Sequence, residues 1–139
     1  MSRKLTLLTF AAICAVLFGC KKDEIETNTE KLLGRWVATS TLEVNYEDDR
    51  ETSRREDNQP KTTFVFAENG SGTAYLDDEV SDLQWVIAEN HLTLKIDGQA
   101  YLFEIKSLSK TDLHLSMEDK SSNSQHTYRE VLEFRLRKE

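Results

Sequence analysis

The chain has 139 residues, with 18 Lys+Arg against 25 Asp+Glu, one proline, five glycines and two cysteines. Its formal charge of −7 argues against a nucleic-acid partner, since such recognition neutralises phosphates with basic side chains, and against lying flat on an anionic membrane. A domain of about 110 residues behind a leader can bury a core without disulfide or metal staples.

Arg3 and Lys4 open the chain, Leu5 to Phe18 form an apolar run broken only by Thr6 and Thr9, and Gly19 precedes Cys20. This is the layout of a secretory signal peptide over residues 1–19. The apolar run stops at Lys21, Lys22, Asp23 and Glu24, short of the roughly 20 residues that a spanning helix needs. Cys14 would leave with the leader, so Cys20 would have no intramolecular partner. Without the leader's two basic residues the chain carries 16 Lys+Arg against 25 Asp+Glu, a charge of −9.

Leu17-Phe18-Gly19-Cys20 resembles the lipobox of bacterial lipoproteins. The resemblance implies lipid attachment at Cys20, a flexible tether over residues 20–30 and a membrane as partner through that anchor. The charged Lys21 to Glu26 that follows is similar to export tags of surface-exposed Bacteroidetes lipoproteins, and equally reads as a solvated spacer. The implied location is the outer membrane, facing either the periplasm or the cell surface.

Residues 27–33 predict one helical turn capped by Thr27 or Asn28. From there, apolar residues alternate with period two, the mark of strands with one buried face. Trp36, Ala38, Ser40, Leu42, Val44 and Tyr46 share one parity and predict a long first strand. Glu47 to Lys61, with six acidic and four basic residues in fifteen, predicts a long loop, either a lid over an open barrel or a flexible connector. Phe64 and Phe66, then Thr73 to Leu76 after the glycine-bearing "ENGSG", predict a hairpin. Leu83, Trp85 and Ile87 follow, then Leu92, Leu94 and Ile96, then Tyr101, Phe103 and Ile105 beyond Asp97-Gly98. Leu113, Leu115 and Met117 form the next strand, and Tyr128, Leu132, Phe134 and Leu136 the last.

The expected fold is all-β: eight antiparallel strands in an up-and-down barrel over residues 31–139, since closure removes exposed edges, with a two-sheet sandwich as the alternative. Leu33-Gly34-Arg35-Trp36 resembles the Gly-x-Trp start of lipocalins and related calycins. With the later hairpins, residues 31–136 look like the small lipocalin-like domains of Bacteroidetes lipoproteins. The resemblance implies a tryptophan closing the barrel base under a basic side chain of the last strand. Arg135 and Arg137 have the wrong parity to supply that side chain.

Trp36, Phe64, Phe66, Trp85, Tyr101 and Phe103 are the candidate residues of a ligand cavity or, equally, of a filled core, because a barrel of this size accommodates either. His91, His114 and His126 read as isolated, so neither a metal site nor any other cofactor is expected. No serine-nucleophile elbow or phosphate-binding glycine loop is present, and no enzyme is expected. Two functions remain: a membrane-anchored lipocalin-like protein that binds a small hydrophobic molecule, or a filled barrel contacting another envelope protein through its loops.

Overall fold

The structure, a computed structural model, describes residues 28–139. The leader, Cys20 and the charged segment after it lie outside the described residues.

A helical turn over residues 28–32, in which the Leu33 amide donates to the Thr29 carbonyl at 3.2 Å, precedes the strands. In chain order these are β1 (Gly34–Glu47), β2 (Arg50–Asp57), β3 (Thr62–Phe66), β4 (Ser71–Leu76), β5 (Glu79–Ala88), β6 (His91–Ile96), β7 (Gln99–Leu108), β8 (Asp112–Ser122) and β9 (Thr127–Lys138). All neighbouring pairs are antiparallel, and β1 bonds to both β3 and β9. Eight strands therefore close into a barrel, with β2 as one strand more than the sequence predicts.

The extra strand corrects the reading of Glu47 to Lys61 as a loop. Asp48 and Asp49 take left-handed φ values of 49° and 62°, a two-residue hairpin turn that returns the chain directly along β1. β2 pairs with Thr41 to Glu47, and β3 pairs with Gly34 to Val37 on the same edge. The two lie end to end. Pro60 sits in the gap between them, where its lack of an amide hydrogen is harmless. All eight residues of β2 are exposed, so the segment has no apolar alternation to announce it.

β1 also departs from its expected facing. Ala38 pairs with Leu136 but Ser40 pairs with Arg135, which leaves Thr39 as an extra residue. This is a β-bulge, and it reverses the parity of everything beyond it. Trp36 and Ala38 face the interior as expected. Leu42, Val44 and Tyr46 instead pair with Glu133, Val131 and Arg129 on the outer face, while Thr41 and Glu43 pair with the inward Phe134 and Leu132. Val44 is buried, yet belongs to no part of the barrel core.

The turns alternate between two ends of the barrel. At the base lie the helical turn, a 3₁₀ turn at Glu68–Gly70, the Glu89 turn and the chain terminus. Leu32, Trp36, Phe66, Leu92, Leu113, Leu115 and Leu136 fill the core. The Trp85 indole donates to the carbonyls of Ala67 and Ser71 at 3.1 and 2.7 Å, so its one polar atom is satisfied although the ring is buried. At the other end the upper halves of β1, β8 and β9, joined by β2, continue past the barrel as a four-stranded extension. Beyond Ser116, β8 has no pairing with β7.

Candidate functional site

The open end holds a cavity of about 340 Å³, within the small end of the range of ligand pockets, about 300–1,000 Å³. Phe64 of β3, Phe103 of β7 and Phe134 of β9 form its aromatic side, with ring centroids 6.2 Å apart for Phe64 and Phe134 and 5.8 Å for Phe103 and Phe134. Leu76, Leu94, Ile96, Met117 and Leu132 complete the apolar wall, and Asp97, Gln99 and Tyr101 line it beside the β6–β7 turn. That turn needs left-handed φ at Asp97 and Gly98, 51° and 82°, which glycine takes without a Cβ clash and aspartate tolerates.

The six aromatic candidates thus divide. Phe64, Tyr101 and Phe103 line the cavity, whereas Trp36, Phe66 and Trp85 pack lower in the barrel. Phe66 stands edge-on to Trp85 at 5.7 Å and contacts Phe64 at 6.1 Å, so a chain of rings runs from the filled base to the open mouth. The barrel is packed below and open above. Phe134, Met117 and Leu132 were legible as inward strand residues, but alternation does not distinguish a wall from a filler. Asp97 was legible only as a turn residue, and no sequence signal singled out Gln99.

The base is closed by a basic side chain, as the lipocalin resemblance implies, but from another residue. Lys138 places Nζ 5.4 Å from the centre of the Trp36 ring and donates to the Lys31 carbonyl at 3.0 Å. The Trp36 indole donates to the Leu32 carbonyl at 2.7 Å. Lys138 shares the parity of Phe134 and Leu136, which was the available signal.

Two histidines are not isolated, contrary to the sequence expectation. His114 Nε2 lies 3.2 Å from Glu133 Oε2. At the tip of the extension, His126 Nδ1 lies 2.8 Å from Asp48 Oδ2 and 3.3 Å from Glu47 Oε1. Asp48 Oδ1 also accepts the Thr127 amide at 3.0 Å. The His126 hydrogen bond, followed by that amide, lowers the Asp48 pKa, and Asp48 in turn raises the His126 pKa. The ligand atoms of Glu47, Asp48 and His126 lie within 4.8 Å of one another, but their contacts already form a clamp between the β1–β2 and β8–β9 turns.

A larger groove of about 600 Å³ lies near this tip, bordered by Asp49, Glu118 and Lys120. There the Arg129 guanidinium stacks 3.9 Å above the Tyr46 ring centre. The groove has a mixed lining with several charged side chains, while the barrel mouth offers a mainly apolar recess with few polar groups, the arrangement that holds small ligands. Compared with protein-family models, curated proteins and solved structures, the chain has no significant match.

Proposed function

We propose that this is a lipocalin-like lipoprotein, anchored to the outer membrane through Cys20, that binds a small hydrophobic molecule in the barrel mouth and performs no catalysis. The observation that carries the binding reading is the 340 Å³ apolar cavity left open above a filled base. The Gly34-x-Trp36 start, the preceding helical turn and Lys138 above Trp36 support the lipocalin-like reading. The anchor rests on the lipobox-like sequence alone. Among the described residues no helix is long and apolar enough to cross a membrane, and two acyl chains at a cysteine would anchor the protein stably.

Both tryptophans lie outside the cavity lining, so tryptophan quenching is a poor reporter of ligand binding. Titration calorimetry with small apolar probes is the direct test. Leu132→Trp should fill the mouth and abolish binding while the circular dichroism stays unchanged. A wild-type protein that binds no apolar probe would defeat the reading. Cys20→Ser should shift the protein from the membrane to the soluble envelope fraction, and an unchanged distribution would remove the anchor.

The exposed, highly charged β2 favours the second reading, an interaction module that meets an envelope protein through the extension. Loss of a captured partner on replacing Arg54 and Arg55, with no probe binding in the wild type, would select it.

A further inference from the structure

We propose that the mouth selects a small apolar molecule bearing a cationic ammonium group, with Asp97 as the counter-charge. The inference rests on the binding reading above and names its ligand class.

Among the described residues Asp97 is the one charged residue in the cavity lining, and no described Lys, Arg or His lines it. The Ser81 hydroxyl donates to Asp97 Oδ2 at 2.9 Å, which orients the carboxylate and leaves Oδ1 for a ligand. Strand register extends the same sign above the cavity. Glu43 pairs with the cavity residue Leu132, which pairs in turn with Met117, so Glu43 shares their face. One rung higher, Glu130 pairs with Asn45 and Asp119. Against these and the more distant Glu47 and Asp57, β2 contributes only Arg50 and Arg55 to that face.

An apolar body entering the cavity therefore brings its polar end against carboxylates. A carboxylate headgroup would find no cationic partner among the described lining residues and would be repelled by Asp97, which stands exposed at the rim of the mouth. An ammonium group would gain Asp97 as partner. Of the two lining aromatics on β7, Tyr101 is the nearer to the Asp97 turn, and an aromatic ring face attracts a cation.

The test is titration calorimetry of the purified Cys20→Ser protein with decylamine, decanol and decanoate at neutral pH and low salt. Decylamine should bind at least about tenfold more tightly than decanoate, with decanol between them. Asp97→Asn should shrink the amine–carboxylate gap to less than about threefold, because that residue supplies the counter-charge. Decanol binding with decanoate as tight as the amine, or a preference that survives Asp97→Asn, would overturn the ligand class while leaving the binding reading intact. Failure of all three probes would overturn both.

Discussion

Lys138 reaches across Gly34 to lie over Trp36, with its Nζ 5.4 Å from the ring centre. Gly34 has φ of +123°, and a Cβ there would sit 2.7 Å from Lys138 Cε. The glycine of the Gly-x-Trp segment thus serves two ends: it takes a backbone conformation closed to L side chains and clears the path of the lysine.

That arrangement predicts graded costs in chemical denaturation. Trp36→Ala should destabilise by about 3–5 kcal/mol, as for other buried aromatic truncations. Lys138→Ala should cost roughly 0.5–2 kcal/mol for its aromatic and carbonyl contacts. Gly34→Ala should cost about 1–3 kcal/mol from backbone strain, with the steric clash added. Combining Gly34→Ala with Lys138→Ala should cost less than the sum, because removing the lysine relieves the clash but not the strain. Strict additivity would mean that the two residues do not meet.

Gly72 in β4 has a different reason to be glycine. A Cβ there would run into the Val65 carbonyl, with Leu83 Cδ2 on the other side at 3.4 Å. The obstacle is backbone of a paired strand and has no rotamer to change. Gly72→Ala should therefore reach or exceed the upper end of the roughly 1–3 kcal/mol range for overpacking. Gly98, with φ of +82° and nothing within 4 Å, is the control, and Gly98→Ala should cost only about 1–2 kcal/mol for the left-handed backbone. Thermal melts that rank the two the other way would contradict the close approach of β3 and β4.

The bulge at Thr39 makes the two faces of upper β1 separable by mutation. Val44 is buried on the outer face, so Val44→Ala should lower stability by roughly 1–3 kcal/mol and leave probe binding in the mouth unchanged. Glu43, one residue earlier and on the cavity face, should behave oppositely. Glu43→Lys should weaken binding of an amine probe with little change in melting temperature. If Val44→Ala altered probe affinity more than Glu43→Lys, the facing would be wrong.

The clamp between the two tip turns should respond to pH in a defined direction. The His126 pKa is raised above 6.5 by the Asp48 hydrogen bond, so its contribution is complete below 6.5 and fades as pH rises through the raised value. The Asp48 pKa is lowered below 3.8, chiefly by the His126 hydrogen bond and then by the Thr127 amide, so its contribution is complete above 3.8 and fades as pH falls through the lowered value. The tip should be best protected between those limits. Amide exchange from Asn123 to Thr127 should quicken as pH rises past the His126 titration, after correction for intrinsic base catalysis, and His126→Ala should remove that step. A corrected profile identical in the variant would exclude the clamp.

Much of the barrel was written in the local sequence. The alternation in β3 to β9 assigned Phe64, Leu94, Phe103, Leu115 and Phe134 to one side, because side chains on a strand alternate whatever the strand pairs with. The turn at Asp97-Gly98 and Gly70 after Asn69 were equally legible, since left-handed backbone restricts residue type locally. The rest depended on partners distant in the chain. Thr39 becomes a bulge only where β1 meets β9, and one unpaired residue there exchanged the faces of Leu42, Val44 and Tyr46. Arg50 to Asp57 became a strand because the upper part of β1 offered it a free edge, although none of its side chains is buried. Trp36 and Phe103 have the same inward parity, yet the first is in the packed base and the second faces an open cavity. Periodicity decides which way a side chain points; whether space remains beside it depends on the volumes of the residues that seven other strands bring to the same level.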